Sequence, residues 1–75
     1  MLNADEVTTA AKFTAARLMK EADSNDERIT LAYRLVPARP PTAKEHALAR
    51  AFLAQSPLNE FCRALFNLND FVYVE

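Results

Sequence analysis

The chain contains 75 residues, of which 51% are hydrophobic and 25% are charged, and its formal net charge at pH 7 is -1. This length predicts one domain with a single small core, over residues 1–75, and the composition is that of a folded globular chain and not of a disordered one. The balanced charge offers no overall attraction for nucleic acid or an anionic membrane, and no apolar run approaches the roughly 18 residues of a membrane span. Cys62 is the only cysteine, which excludes an internal disulfide.

The first helix is predicted from Ala4 to about Ala22, because Asn3 and Glu6 form a capping box. The sequence has no glycine, which favours helices joined by proline, asparagine and aspartate turns over strand hairpins. Small residues on the inward face allow a close approach to a neighbouring helix, whereas the bulky Phe13 and Met19 contact either the core or a partner. The predicted inward face comprises Val7, Ala11, Thr14 or Ala15, and Leu18.

The second helix, predicted from Asn25 to about Val36, is apolar on two sides and is therefore expected to be the hub of the fold. A capping box of Ser24 and Glu27 starts it, and Pro37 ends it, since the residue before a proline disfavours the helical conformation. One apolar stripe contains Ile29, Ala32, Tyr33 and Val36, and the other contains Leu31 and Leu35. We expect a single core that includes Leu31, Leu35, Phe52, Phe61, Leu65 and Phe66.

The C-terminal half predicts two more helices and a tail. Thr42 and Glu45 form a third capping box, and Ser56-Pro57 predicts that the fourth helix begins at Pro57. The segment from Asn67 to Asp70 predicts a turn, and residues 71–74 a short extended or single-turn tail. The expected inner face of the third helix comprises Leu48, Ala51, Phe52 and Leu53. The predicted fold is all-α, a small bundle of four short helices with a short C-terminal tail.

No set of residues predicts catalysis or metal binding. His46 is the only histidine and lacks a second ligand one helical turn away, so a surface position is expected. Cys62 lies on the apolar face of the fourth helix, where burial raises the pKa of a thiol, so a structural role is expected. The carboxylates that could form an acid/base pair, Glu45, Glu60 and Asp70, are interpreted as capping or solvated groups. The sequence thus predicts no enzyme, no cofactor and no metal site.

A strip of basic residues raises the alternative of a nucleic-acid groove, with Tyr33 and Phe52 available for stacking. Acidic residues alternate with these bases along the chain, so solvated ion pairs are the favoured interpretation and no nucleic-acid partner is expected. The basic residues are Arg34, Arg39, Lys44, Arg50 and Arg63.

The candidates for structural or interaction roles are one residue of the connector and five near the end of the chain: Arg39, Asn67, Asn69, Asp70, Phe71 and Tyr73. Arg39 lies within the proline-rich connector, residues 37–41, and is predicted to donate hydrogen bonds to the turn that begins at Asn67, with a solvated arginine as an equal alternative. The aromatic residues Phe71 and Tyr73 either fold back onto the core or remain exposed for a partner. Folding back is favoured, because a small domain needs the buried area.

Four motifs carry a family resemblance: Leu2-Asn3, Ala32-Tyr33-Arg34-Leu35, Arg39-Pro40-Pro41-Thr42, and the ending Phe-Cys-Arg-Ala-Leu-Phe-Asn-Leu-Asn-Asp-Phe-Val-Tyr-Val over residues 61–74. Together they resemble the C-terminal end of the planctomycete-specific domain of unknown function, which occurs in large proteins that often carry cytochrome-c-type domains. The resemblance covers nearly the whole chain, and its ending is the most specific part.

The resemblance implies that these residues are the C-terminal subdomain of a larger, exported protein whose upstream domains are the partner. It implies no activity, because the family has no assigned catalytic residues. Two departures from the family stand out: Pro37-Ala38 replaces an aliphatic residue and glycine, and Asp70 replaces the usual glutamate. If the turn requires a left-handed residue, Ala38 costs about 1 kcal/mol there.

The function expected from the sequence is a structural or protein-interaction module at the C-terminus of a larger protein. The alternative is an accessory domain that completes an active or redox centre carried by upstream cytochrome-type domains. Weak self-association is also expected, because the isolated domain would uncover apolar surface at Phe13, at Met19 or in the tail.

Overall fold

The computed structural model describes residues 2–74, and it describes side chains through Leu68. The elements are four α-helices, α1 (Ala4–Glu21), α2 (Asn25–Leu35), α3 (Ala43–Leu53) and α4 (Leu58–Val74). Residues 2–74 contain no strand, so the predicted all-α bundle is confirmed. In the same residues, no helix has both the length and the hydropathy that crossing a membrane requires.

The helix starts follow the capping signals in the sequence. Both halves of the capping box are present at Asn3 and Glu6 and at Thr42 and Glu45, and the Ser24 side chain accepts a hydrogen bond from the backbone N–H at position 27. These side chains satisfy backbone donors that have no partner within the helix, which fixes where each helix begins. The fourth helix begins one residue after its predicted start, because the Pro57 carbonyl accepts the first helical hydrogen bond, from Phe61 at 3.3 Å.

The fourth helix does not end at the predicted turn. Its backbone continues helically through Asn67–Asp70 to Val74, where a turn and a tail were expected. Asparagine and aspartate are only modestly poor helix formers, and no proline or glycine follows Pro57 to stop the helix. The turn signal was therefore too weak to oppose an amphipathic helix that was already formed.

The core forms where α1, α2 and α4 meet, and α1 makes its most extensive helix contact with α4. Leu18, Ile29 and Cys62 are its largest fully buried side chains. The inward face predicted for α1 is confirmed, since its five members are the buried residues of that helix: Val7, Ala11, Thr14, Ala15 and Leu18. The Cα radius of gyration of 11.5 Å is close to the value of about 11 Å expected for a compact chain of this length.

The six side chains expected to share one core have different degrees of burial. Phe61 and Leu65 are buried, and Leu31, Leu35 and Phe66 are partly buried against the core. The sixth, Phe52, is 39% exposed, and its ring centroid lies 6.2 Å from that of Phe61 at the edge of the core.

The inner face predicted for α3 is correct only at Leu53, which is partly buried against the core. The buried residue of the helix is Ala49, whereas Leu48 is 62% exposed and Ala51 is also exposed. Alanines occur on every side of this helix, so its apolar periodicity is ambiguous. The helix therefore presents a different face to the core from the predicted one. In this orientation Glu45 and His46 make polar contacts, which are described below.

Ala38 occupies the left-handed region that the turn after α2 requires, with φ of 62°. The Arg39 N–H donates to the Tyr33 carbonyl at 3.2 Å and closes this turn. A Cβ atom is unfavourable in the left-handed conformation, whereas glycine adopts it without that cost.

We expect Ala38→Gly to raise the free energy of unfolding by about 0.5 to 1 kcal/mol, because the relief of Cβ strain exceeds the added entropy of an unfolded glycine. Urea denaturation of both proteins measures the difference. The matched control is Ala54→Gly at the end of α3, where φ is -69° and the same change should destabilise the domain. Equal destabilisation by both substitutions would contradict the argument.

Candidate interaction surfaces

Arg39 pairs with Glu45 at the start of α3, a partner that was not predicted for it. The side chain of Asp70, one of its predicted partners, lies outside those that the structure describes, so that contact stays a prediction. Its Nη1 and Nη2 atoms donate to the two carboxylate oxygens of Glu45 at 2.7 Å each, and Nη1 also donates to the Pro40 carbonyl at 3.2 Å. The guanidinium carbon lies 5.7 Å from the ring centroid of Tyr33. The connector turns back after α2 and brings Arg39 to the N-terminus of α3, so the nearest carboxylate is a capping residue.

Glu45 has two structural roles, as the cap of α3 and as the partner of Arg39. Its Oε1 atom accepts hydrogen bonds from the Thr42 N–H at 2.9 Å and from Arg39. These bonds, that from Arg39 foremost, lower the pKa of Glu45 to about 2, and the same ion pair raises the pKa of Arg39. One carboxylate thereby fixes the connector to the helix that follows it.

We expect Glu45→Gln to weaken the acid dependence of stability, since glutamine can still cap the helix but carries no charge. The folded-state pKa lies below the ordinary value of 4.5, so the charged pair stabilises the fold above about pH 4.5 and loses this effect as pH falls toward 2. Urea denaturation at several pH values in this range measures it. Parallel curves for the two proteins would contradict the assigned role.

A second polar cluster joins α2 to α3. Oδ1 of Asp26 accepts hydrogen bonds from Nε and Nη2 of Arg50 at 3.0 and 2.9 Å, and Nε2 of His46 lies 3.0 Å from the same oxygen. The hydrogen bond with His46, followed by those with Arg50, lowers the pKa of Asp26. His46 and Arg50 were considered separately on the sequence, and no role was predicted for Asp26. The signal was present, because His46 and Arg50 are one turn apart on one helix face and Asp26 lies in the first turn of α2.

The residues considered as candidate catalytic groups lie in surroundings that indicate structural roles. Cys62 is fully buried, and burial raises the pKa of its thiol to about 11, so the nucleophilic thiolate is scarce at neutral pH. Glu60 pairs with Arg63 at 2.8 Å within the first turns of α4. Within the residues that the structure describes, no three histidine, cysteine or acidic side chains are grouped as metal ligands.

The remaining predicted residues belong to α4. Asn67 is exposed, and its backbone is helical. Asn69, Asp70, Phe71 and Tyr73 also lie within the helical range, but their side chains are outside the described ones, so the prediction of a folded-back tail stays a prediction.

Three helices present large apolar side chains to solvent among the residues whose side chains are described. On α3, Leu48 is 62% exposed and Phe52 39% exposed, one helical turn apart; we refer to this pair as the α3 surface. On α1, Phe13 is 74% exposed and Met19 58% exposed. Leu68 on α4 is also exposed.

The clefts of the domain are shallow or small. One of about 380 Å³ lies where the end of α1 meets α2 and α3, and its lining includes Glu21, Asp26 and His46. Another of about 240 Å³ lies beside the connector and is lined by Thr30, Arg34, Ala38, Arg39 and Pro40.

Comparisons with protein-family models, with curated proteins and with solved structures give no match to this chain.

Proposed function

We propose that this domain is a non-catalytic structural and protein-interaction module, and that it binds its partner through the α3 surface. The observation that carries the proposal is the exposure of Leu48 and Phe52 on a helix whose opposite side is anchored to the rest of the fold. Large adjacent apolar side chains at the surface commonly mark a site of protein association.

The α3 surface is preorganised by the core beneath it. The Phe52 ring contacts Phe61, whose centroid lies 6.4 Å from that of Tyr33, so three aromatic rings extend from the surface into the core. An aromatic side chain held in this way loses little conformational entropy on binding, which is a property of binding hot spots.

Polar contacts hold α3 in place on both sides of this surface. Arg39 binds the N-terminal turn of the helix, and Asp26 binds His46 and Arg50 along its length. Such exposed ion pairs contribute little to stability individually, but several of them restrict how the helix can rotate. The α3 surface is thus a fixed feature that a partner can recognise.

The family resemblance suggests that the partner is the upstream part of a longer protein. A nucleic-acid partner is disfavoured, because three members of the basic strip, Arg39, Arg50 and Arg63, already pair with carboxylates. The formal net charge of -1 disfavours it as well.

The experiment measures binding between this domain and the separately expressed upstream region by isothermal titration calorimetry. Leu48→Gln should weaken binding by roughly tenfold or more, as expected for a central apolar contact. Phe13→Gln on α1 is the matched control and should bind as the unaltered domain does. No binding by the unaltered domain, or equal weakening by both variants, would contradict the proposal.

A second candidate function is an accessory domain that completes an active or redox centre of upstream cytochrome-type domains. The observation that favours it is the 240 Å³ cleft beside the connector, where Arg34 and Arg39 both line the wall. Removing this domain, or substituting Arg34→Gln, would then shift the reduction potential of the upstream centre. An unchanged potential in both cases would exclude this role.

A further inference from the structure

The outer face of α1 centres on a side chain that the fold leaves uncovered. Phe13 is 74% exposed, and its position lies opposite the buried stripe that contains Ala11 and Leu18. A depression of about 490 Å³ lies beside the Phe13 ring on its N-terminal side. The residues that line the depression are Asp5, Glu6, Thr9, Ala10, Phe13 and Thr14. An exposed aromatic ring thus adjoins a wide, shallow hollow lined by Asp5 and Glu6 as well as by the smaller Thr9, Ala10 and Thr14.

Charge is distributed unevenly along the same helix. Asp5 and Glu6 lie in the first turn of α1, about two turns before Phe13, whereas Arg17 and Lys20 follow it by about one and two turns. Arg17 pairs with Glu21 at 2.7 Å, but both side chains are more than 40% exposed, so this surface pair is free to exchange partners. The acidic residues Asp5 and Glu6 thus precede the exposed aromatic residue and the basic residues Arg17 and Lys20 follow it, whereas Lys12 and Glu21 depart from this pattern.

We propose that a second copy of this chain docks on the outer face of α1, with the two α1 helices antiparallel. An antiparallel pair places the acidic start of each helix beside the basic end of the other, so the charge pattern is complementary to itself about a two-fold axis. A parallel pair would place like charges side by side. The inference rests on the proposed role as an interaction module, but it uses a different surface.

The depression determines the register of the pair. When Phe13 of one copy lies over Ala10 of the other, its ring occupies the hollow between Glu6, Thr9 and Ala10. In an antiparallel pair, four residues forward on one helix correspond to four residues backward on the other. Arg17 therefore lies opposite Glu6, whose Oε1 accepts the Asn3 N–H and whose Oε2 is the oxygen that would accept from Arg17. One register thus satisfies both the apolar and the charged contact.

The interface is small, because one helix from each copy forms it. Interfaces well below about 1,200 Å² belong to weak and transient complexes, so the dimer should form reversibly at high protein concentration. The α3 surface lies on another helix and stays available for the partner proposed above.

Sedimentation equilibrium from low micromolar to near-millimolar protein tests the dimer. The unaltered chain should dimerise with rising concentration, and Phe13→Gln should weaken the association by roughly tenfold or more. Leu48→Gln is the matched control and should leave the dimer unchanged. A strictly monomeric chain at the highest concentration would overturn the inference. Association that Leu48→Gln abolishes and Phe13→Gln does not would also overturn it, while leaving the α3 surface intact as an interaction site.

Charge exchange tests the antiparallel register. Arg17→Glu and Glu6→Lys should each weaken self-association, since each places like charges opposite one another, whereas an equimolar mixture of the two variants should associate as strongly as the unaltered chain. Circular dichroism verifies that both variants are folded, which matters because Glu6→Lys removes half of a capping box. A mixture that associates no better than either variant alone would overturn the register.

Discussion

Phe61→Ala is expected to lower the free energy of unfolding by about 3 to 5 kcal/mol, because it removes the largest side chain that links α4 to both α2 and α3. Phe61 is 4% exposed, and its ring centroid lies 6.4 Å from that of Tyr33 and 6.2 Å from that of Phe52. A domain of this size has a total stability of only about 5 kcal/mol. Urea and thermal denaturation, followed by circular dichroism, should therefore show a largely unfolded protein.

The matched control for this prediction is Phe13→Ala, the same chemical change at a side chain that is 74% exposed. It should alter the free energy of unfolding by less than about 0.5 kcal/mol when measured at low concentration, where the proposed dimer is dissociated. Similar losses at the two positions would mean that burial does not determine the effect, and the core as described would be wrong.

The local features of this fold could be predicted from the sequence because each depends on neighbouring residues alone. A capping box needs two side chains three residues apart, and the sequence shows such pairs before the first three helices. The strain at Ala38 was also foreseeable, since a turn that follows a helix commonly requires a left-handed residue. The helix starts and the buried stripe of α1 therefore agree with the structure.

The features that were not predicted depend on how helices meet. The sequence contains several carboxylates with which Arg39 could pair, and only the path of the connector brings Arg39 to Glu45. The contact of Asp26 with Arg50 joins residues that are 24 positions apart. The orientation of α3 could not be determined from a periodicity in which alanines occupy every side, so Leu48 was placed in the core instead of at the surface.

The contrast between local features and contacts between helices also explains why the candidate site is an exposed surface. Cys62 and His46 were the candidates for reactive side chains. In the structure Cys62 is buried, and His46 contacts a residue of another helix. Among the side chains that the structure describes, exposed apolar residues remain on α1, α3 and α4. The proposals made above use two of these helices, α3 for a partner and α1 for a second copy.

Ala11→Leu is expected to lower the free energy of unfolding by about 1 to 3 kcal/mol, because it places a large side chain where the core has no space. Ala11 is 2% exposed and belongs to the core, on the helix whose most extensive contact is with α4. To accommodate leucine, the two helices must move apart or side chains must leave their preferred rotamers.

The matched control is Ala16→Leu on the exposed side of α1, which should change the free energy of unfolding by less than about 0.5 kcal/mol. Urea denaturation of both variants at low concentration measures the difference. An Ala11→Leu protein as stable as the unaltered one would show that α1 does not pack closely on its neighbours, and the small residues of its buried face would lose their explanation.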